Sequence, residues 1–343
     1  LITGGTGFVG SALCSRLLEE QHKIVVLSRN PEKIKPPIKA VVNLDQLSND
    51  DIFDVVINLA GEPIANKRWN DQQKKRIFGS RIETTEALIE YFKKSKHKPK
   101  LLINGSAIGY YGTARTNDNI DEKSGCDDSF SSQLCQKWEA AALEAESLGI
   151  RTCLIRTGIV LGKNGGALSK MLPPFKMGLG GRIGYGKQWM SWIHLDDLVG
   201  IILYCINNDD LKGAVNGTSP NPVINEVFTK TLGTALKRPT IFPMPEIVIK
   251  LLMGQMGEEL LLSGKRVLPR KALDAGYIFC LLFTSDAADD LLCVYLGGRS
   301  IIQINSTLHV ILSALLFPSL HISYFTVLHS ISPASLILHA QDI

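Results

Sequence analysis

The sequence has little that would mark a specialised protein class. Aromatic residues make up 7% and charged residues 20% of the 343 residues, and 37 Lys and Arg stand against 33 Asp and Glu. The small excess of positive charge gives no support for binding to nucleic acid. The 45% hydrophobic content excludes a disordered or collagen-like chain, and the length allows one large domain or two modest ones.

Metal and disulfide patterns are also missing. The seven cysteines include no Cys-x-x-Cys pair, and only His22, His97 and His194 precede residue 280. We therefore predict free thiols, a reducing compartment and no metal site. His194 is expected to bond to backbone or, alternatively, to contact a substrate, and Trp189 and Trp192 are expected to floor a cleft.

The chain starts at Leu1 without a methionine, directly before a run of glycines. We expect the opening strand to be clipped, so a targeting peptide would not be visible. The expected location is cytoplasmic, with organellar targeting left open.

Short apolar runs alternate with helical patterns over residues 1–165. The runs 23–28, 55–59, 100–104 and 152–157 are typical of buried strands, and residues 11–21 and 79–94 have helical periodicity. This alternation predicts an α/β fold, a Rossmann-type doubly wound parallel sheet. Glycine and proline punctuate the chain from Gly162, which predicts a smaller C-terminal substrate lobe over 166–279, with elements returning to the first domain.

Residues 280–343 have a different composition. No Asp, Glu, Lys or Arg occurs from Ser300 to Gln341, yet no 18-residue apolar run exists and Pro318 and His321 interrupt the stretch 308–328. We predict an aberrant hydrophobic tail, foreign or frame-shifted. Real structure and a membrane anchor are the alternatives. Such a tail would replace the last element of the substrate lobe and expose apolar surface, so we predict poor solubility.

The strongest local pattern is a glycine-rich turn between a strand and a helix. It consists of Gly4, Gly5, Thr6, Gly7, Phe8, Val9 and Gly10. Glycines at this spacing allow a tight turn, close approach to a pyrophosphate and contact of the helix with the sheet. The helix N–H groups then face the phosphates, so we predict a dinucleotide site.

The end of the second strand indicates which dinucleotide is preferred. An acidic residue there favours the free 2′-hydroxyl of NAD, but this chain has Ser28 and Arg29, and the nearest carboxylate, Glu32, follows Pro31. A guanidinium suits a 2′-phosphate, so we predict NADP as the cofactor. The alternative is that Arg29 is only a solvated loop residue.

Several further segments carry a family resemblance. They are residues 3–10, 58–61, 79–81, 106–112, 138–139, 156–162, 192–198 and 264–269. Together they resemble the extended, NAD(P)-dependent epimerase/dehydratase-like form of the short-chain dehydrogenase/reductases, in the atypical branch labelled "epimerase family protein". The resemblance extends from Leu1 to about Phe279.

The resemblance implies contacts to the cofactor beyond the glycine loop. By its implication Ser28 and Arg29 contact the adenosine phosphate, Leu59, Ala60 and Gly61 line the adenine-ribose side, Arg81 reaches the cofactor, and Val160 lies near the nicotinamide. It also implies a small-molecule substrate and a possible homodimer through helices of the first lobe. No nucleic-acid partner is expected, and no membrane partner is favoured.

The chain departs from the superfamily at the catalytic pair. The usual Tyr-x-x-x-Lys occurs nowhere, and alignment on Glu139 puts Ser131 and Cys135 at its two positions. Candidate catalytic residues are therefore Ser106, Tyr110 and Tyr111, with a phenol whose pKa a cation such as Arg81 would have to lower. The alternative for the two tyrosines is packing or contact with the substrate. The predicted function is hydride transfer on a small or nucleotide-linked carbonyl or alcohol. The alternative is a non-catalytic NADP(H)-binding redox sensor.

Overall fold

The computed structural model describes residues 1–163 and 165–280, and the structural statements below concern these residues. The predicted tail lies outside them, apart from Cys280. No described helix combines the length and apolarity needed to span a bilayer. The described cysteines are all free thiols, as expected from the sequence.

The strands in chain order are β1 (Ile2–Thr3), β2 (Val25–Leu27), β3 (Lys39–Val41), β4 (Val55–Asn58), β5 (Leu101–Ala107), β6 (Asn119–Ile120), β7 (Arg151–Thr157), β8 (Ile159–Gly162), β9 (Trp189–Met190), β10 (Trp192–His194), β11 (Gly213–Gly217), β12 (Val223–Ile224) and β13 (Arg266–Val267). The α-helices are α1 (Phe8–Glu19), α2 (Asp71–Lys94), α3 (Phe130–Leu143), α4 (Gly166–Lys176), α5 (Leu195–Asn207), α6 (Asn225–Leu236), α7 (Glu246–Met253), α8 (Gln255–Gly257) and α9 (Arg270–Asp274). Glu258–Leu262 forms a π-helical turn.

Seven strands form one parallel sheet in the order β11-β7-β5-β4-β1-β2-β3. The order reverses at β1 and β4, which makes the sheet doubly wound and confirms the predicted Rossmann-type fold. Ligands of such sheets bind at the carboxyl ends of the strands near this reversal. Strand β11 comes more than 50 residues after β7 in the chain and pairs with it at the edge of the same sheet.

Both faces of the sheet are buried. On β4, Val56 packs into one apolar cluster and Ile57 into another, so successive side chains enter opposite cores. Helix α1 covers the Ile57 side with Leu13 and Leu17, and α2 covers the Val56 side. This two-sided burial explains why the strands appear in the sequence as continuous apolar runs.

Helix α2 begins earlier than its apolar pattern predicted. Its first residue is Asp71, because the Asn70 side chain accepts a hydrogen bond from the Gln73 N–H at 2.7 Å and caps the N-terminus. The helix ends at Lys94, and Lys98 donates to the carbonyls of Lys93 and Ser95. Lys93, Lys94 and Lys98 therefore lie at the C-terminal end of the helix, where positive charge suits the helix dipole.

Residues 159–194 and 219–268 form short two-stranded pairs and helices outside the seven-stranded sheet, and they are called the second lobe below. Strand β8 pairs in parallel with β10, β9 pairs with β12, and β6 pairs with β13. Its core joins α4 and α6 through Leu168, Leu172, Phe175, Phe228 and Leu232. These side chains form an apolar cluster of their own. The chain enters it at β8, directly after the carboxyl end of β7.

Candidate functional site

The glycine loop is shaped by contacts that exclude side chains. Gly4 has φ +70°, and a Cβ there would lie 2.5 Å from the Leu59 carbonyl oxygen. A Cβ on Gly10 would lie 2.2 Å from the Gly4 carbonyl oxygen, so the first turn of α1 rests directly on the loop. Gly7 donates to the Gly4 carbonyl at 2.9 Å and precedes the helix. The free N–H groups of the helix start therefore lie at the switch point of the sheet.

Phe8 connects this loop to the second lobe. Its ring fills the space where Cβ atoms of Gly162, Gly165 and Gly166 would lie, at 2.7, 2.4 and 2.8 Å. Sequence reasoning missed this contact. The sequence signal that could have indicated it is the three glycines at the turn after β8, because no turn type requires all three.

The end of β2 presents one cation to solvent. Ser28 is buried and its hydroxyl accepts a hydrogen bond from the Asn30 N–H at 3.1 Å, which turns the chain outward. Arg29 is exposed, and within the described chain no carboxylate forms an ion pair with it. The guanidinium is therefore available to an anion at this edge of the sheet.

A row of buried polar side chains orders the segment after β4. Thr3 donates to Asn58 at 2.6 Å, and Asn58 donates to Asn104 at 2.6 Å, which links β1, β4 and β5. The Thr3 hydroxyl also accepts from the Ala60 N–H at 3.1 Å. Leu59 and Ala60 are half-buried and Gly61 is exposed, so all three line the same edge. Nothing in the strand periodicity predicted this row.

Arg81 lies beside residues 59–61, the segment that follows β4. Its guanidinium donates to the carbonyls of Ile77 and Glu62 at 3.1 Å each and lies over the Trp138 ring at 5.2 Å. Burial lowers the pKa of Arg81, and Cys135 and Glu62 oppose that shift. Val160, in β8, is half-buried and pairs with Ile193 on the second-lobe side.

Ser106 belongs to a buried ionic network. Its hydroxyl donates to Glu139 at 2.6 Å, and Glu139 holds Arg156 through two bonds of 2.8 Å. Burial opposes the charge on Arg156, but hydrogen bonds and Coulomb attraction from Glu139 raise its pKa above the ordinary value. Because the Ser106 proton is committed to Glu139, its oxygen can only accept a bond from a ligand.

The two tyrosines differ from each other in burial. Tyr111 is completely buried, and its hydroxyl donates to Asn216 at 2.6 Å. Burial raises the pKa of Tyr111 to about 12 and also raises the pKa of Tyr110, with Arg156 opposing both shifts. The cation beside them is Arg156, 3.4 Å above the Tyr110 ring, and not Arg81 as proposed. Tyr111 therefore belongs to the core, while the half-buried Tyr110 keeps a side open.

The positions of the missing catalytic pair face the sheet edge. Ser131 lies beside Gly109, and the Cys135 thiol donates to the Ala107 carbonyl at 3.6 Å. Glu259 binds Ser131 through its hydroxyl and through its N–H at 2.9 Å. Burial raises the pKa of Cys135 to about 11. The π-helical turn Glu258–Leu262 thus places a carboxylate at the start of α3, the helix that carries the Tyr and Lys of the catalytic pair in other superfamily members.

The remaining candidates lie in the second lobe. His194 caps α5 by accepting from the Asp196 N–H at 3.2 Å, which confirms the backbone-bonded interpretation. Trp192 is 3% exposed and packs in the lobe's core, so it does not floor a cleft. Trp189 lines a cavity of about 240 Å³ together with Arg115, Tyr185 and Lys187. Among the residues that the structure describes, no cluster could hold a metal ion.

The sheet order, the glycine turn at its switch point and the polar edge around Ser106 define the class of dinucleotide-binding α/β proteins. Comparison with protein families narrows this class. Residues 1–216 match the NAD dependent epimerase/dehydratase family, and residues 244–281 match a domain of unknown function, DUF1731. The chain therefore belongs to the NAD dependent epimerase/dehydratase family, as its motifs indicated.

Relatives cover most of the chain. It is 40% identical over 296 residues to the "Epimerase family protein SDR39U1 homolog, chloroplastic" of Arabidopsis thaliana, which covers 83% of this chain and 84% of that protein. It is 38% identical over 282 residues to human "Epimerase family protein SDR39U1", covering 81% and 94%. The crystal structure of the human protein (isoform 2) with NADPH aligns with a TM-score of 0.77 at 35% identity, covering 87% of this chain and 99% of that one.

Proposed function

We propose that the protein binds NADP and transfers hydride to or from a carbonyl or secondary alcohol of a small or nucleotide-linked substrate. The observation that carries the cofactor assignment is the unpaired Arg29 beside Ser28, at the strand end where an NAD-selective site has a carboxylate. The human relative crystallised with NADPH supports the same choice. When bound, NADP supplies or accepts the hydride at its nicotinamide ring.

The chain's residues fit this cofactor. The close contacts at Gly4 and Gly10 keep side chains out of the loop, so phosphates can approach the backbone N–H groups of the α1 start. Leu59, Ala60 and Gly61 offer small or apolar surface to the adenine-ribose side, and Arg81 adds a cation near the sheet edge.

Proton movement at the substrate has to use unusual groups. Ser106 accepts a hydrogen bond from a substrate hydroxyl because its own proton is directed to Glu139. Tyr110 is the proposed proton donor because its half-buried phenol keeps one side open and the Arg156 guanidinium lies 3.4 Å above its ring, where the cation opposes the rise in pKa that burial causes. Tyr111 has no such role, because its hydroxyl is enclosed by Asn216 and Arg156.

A second candidate function is a non-catalytic NADP(H) sensor. It is favoured by Ser131 and Cys135, since neither replaces the Tyr and Lys that superfamily catalysis requires, and the thiol's raised pKa keeps it neutral. NADPH consumption with a panel of small aldehydes, ketones and quinones distinguishes the two. Turnover that falls at least tenfold in Tyr110→Phe supports the enzyme, and binding without turnover supports the sensor.

The cofactor assignment is tested by titrating NADPH and NADH into the protein and following tryptophan fluorescence. We expect NADPH to bind at least tenfold more tightly, about 1.4 kcal/mol. Arg29→Asp should abolish the preference for NADPH. Lys230→Asp makes the same charge change at an exposed residue of α6 and should preserve the preference. Equal affinities in the unmodified protein, or an unchanged ratio in Arg29→Asp, would remove Arg29 as the selector.

A further inference from the structure

A cavity lies between the second lobe and the loop that follows Tyr111. Its volume is about 240 Å³, and it is here called the Trp189 cavity. Its lining includes Arg115, Asn117, Tyr185, Lys187, Trp189 and Glu246. None of these six residues is among the predicted contacts to the dinucleotide, so the cavity is a separate place for a ligand.

Contacts between distant segments hold the walls of the Trp189 cavity. The Trp189 indole N–H donates to Asn117 Oδ1 at 3.2 Å, which joins β9 to the loop before β6. Gly264 lies so close to β9 that a Cβ there would be 2.0 Å from the Trp189 carbonyl oxygen. The Gln188 side chain donates to two backbone carbonyls at 3.0 and 2.9 Å. The fold itself therefore sets the shape of the cavity, as is usual for small-molecule sites.

Two aromatic side chains supply flat surface to the Trp189 cavity. Trp189 is half-buried and Tyr185 is exposed. The Arg266 guanidinium lies over the Trp189 ring at 5.1 Å from its centroid, a cation–π contact that fixes the ring. Protein rings attract other rings in offset or edge-to-face arrangements, so this lining favours a ligand with a flat ring.

The one carboxylate among the six lining residues is already neutralised. Glu246 pairs with Lys250 at 2.8 Å and with Arg115 at 3.6 Å, and Lys250 also lies 3.6 Å from Glu258. These two cations and two carboxylates balance each other. Asp118, the next acidic residue along the loop, is exposed and does not line the cavity. An anionic ligand therefore meets no uncompensated negative charge at this wall.

Two further cations are not neutralised. Lys187 and Arg266 form none of the ion pairs in the described part of the chain, and the buried Arg266 Nε has no hydrogen-bond partner there. Glu226 interacts with Lys187 electrostatically, but Lys230 pairs with that carboxylate at 2.9 Å. The surroundings of Trp189 thus have an excess of positive charge, which suits a carboxylate.

The volume of the Trp189 cavity limits the size of the ligand. An apolar cavity of about 150 Å³ accommodates benzene. The cavity here exceeds that volume by roughly 90 Å³, the share of about three water molecules in the liquid. That space matches a carboxylate group on a six-membered ring and falls well short of a ribose with a phosphate.

Both walls of the cavity lead to the candidate catalytic residues. The loop that supplies Arg115 directly follows the helical turn that carries Tyr110 and Tyr111. On the other side, Lys265 follows the lining residue Gly264, and its ammonium group donates to the Tyr111 carbonyl. A ligand in the cavity is therefore a neighbour of the turn that carries the proposed proton donor.

We propose that the Trp189 cavity binds a small aromatic carboxylate. The ring of the ligand packs against Trp189 and Tyr185, and its carboxylate is bound by Lys187 and Arg115. Under the proposed function, such a group is the end of the substrate that the protein recognises. That clause alone rests on the proposed function, because the binding itself requires no reaction.

Isothermal titration calorimetry of the full chain with benzoate, in the absence of NADP(H), tests the proposal. Benzoate should bind with a Kd below about 1 mM. Benzamide has the same ring without the charge, and cyclohexanecarboxylate has the same charge without the flat ring. Each of these two compounds should bind at least tenfold more weakly than benzoate.

Variants locate the binding. Lys187→Gln and Tyr185→Leu change exposed side chains of the cavity, so both should fold, and each should weaken benzoate binding at least tenfold. The matched control is Lys23→Gln, an exposed lysine of the first lobe, which should bind benzoate as the unmodified protein does.

Three results would overturn the proposal. They are no heat of binding up to about 10 mM benzoate, equal affinities for benzoate and benzamide, and unchanged benzoate affinity in both cavity variants. Uridine monophosphate that binds more tightly than benzoate and loses affinity in Lys187→Gln would assign the cavity to a nucleotide instead. NADPH affinity should be unchanged in both variants, so failure of benzoate binding leaves the cofactor assignment intact, and absence of turnover leaves the benzoate result intact.

Discussion

Glu139 lies at the centre of the buried network beside the sheet edge, so its replacement measures what that network contributes. The Glu139 and Arg156 side chains are 6% and 5% exposed, and two 2.8 Å bonds join them. Glu139→Gln keeps the shape but leaves the buried guanidinium without its counter-charge. Breaking one member of such a pair costs about 3–5 kcal/mol, a large part of the 5–15 kcal/mol stability of an ordinary domain.

The assay is urea unfolding at pH 7, followed by circular dichroism. Ser106→Ala removes one hydrogen bond to the same carboxylate and should cost about 1–2 kcal/mol. Replacing both charges, as in Glu139→Leu with Arg156→Met, should be less damaging than Glu139→Gln alone, because no unpaired charge remains. The control is Glu144→Gln near the end of α3, where an exposed carboxylate 3.9 Å from Lys93 should contribute below about 0.5 kcal/mol.

The reasoning fails if Glu139→Gln lies within about 1 kcal/mol of the unmodified protein, since the pair would then contribute no more than an exposed one. Such a result would mean that water or another group compensates Arg156 in the variant. The reasoning also fails if Glu139→Leu with Arg156→Met destabilises the protein more than Glu139→Gln alone, because the unpaired charge would then not be the main cost.

Three further changes have defined outcomes. Burial raises the pKa of Tyr111 to about 12 from 10.0, so as the pH rises the unfolded chain loses this proton before the folded chain does. The free energy of unfolding is therefore highest below pH 10 and falls between pH 10 and pH 12. In urea unfolding at a series of pH values, Tyr111→Phe should reduce that slope by up to about 1.4 kcal/mol per pH unit. Gly10→Ala should abolish NADPH binding in fluorescence titrations because its Cβ would meet backbone, whereas Gly149→Ala, with φ +78° and open space, should cost only about 1–2 kcal/mol and leave binding intact. Glu259→Gln should destabilise by about 1–3 kcal/mol in thermal or urea unfolding, because its carboxylate accepts two backbone N–H groups at the start of α3; no loss would mean that the C-terminal segment is not fastened there.

Much of the fold followed from local pattern in the sequence. The apolar runs that became β4, β5 and β7 and the helices α1 and α2 were recognisable because strands buried on both faces are continuously apolar and helices have a 3.6-residue period. The glycine loop was equally clear, because glycines 4, 7 and 10 stand at a recognised spacing between a strand and a helix. These features depend on residues close in sequence.

Other features depend on residues far apart in sequence. The contact of Phe8 with the turn at Gly165 joins positions more than 150 residues apart, and Glu259 reaches Ser131 across 128. No local pattern records such pairs.

For the candidate site, the sequence by itself determined the loop, the strand-end Ser28 and Arg29, and the absence of the Tyr-x-x-x-Lys pair. Tertiary structure decided which candidates can meet a ligand: it committed the Ser106 proton to Glu139, enclosed Tyr111, and put Arg156 rather than Arg81 beside Tyr110. The physical reason is that burial and hydrogen-bond partners arise from packing between distant segments. Residue type sets what a side chain can do, and those neighbours set which proton and which charge it presents.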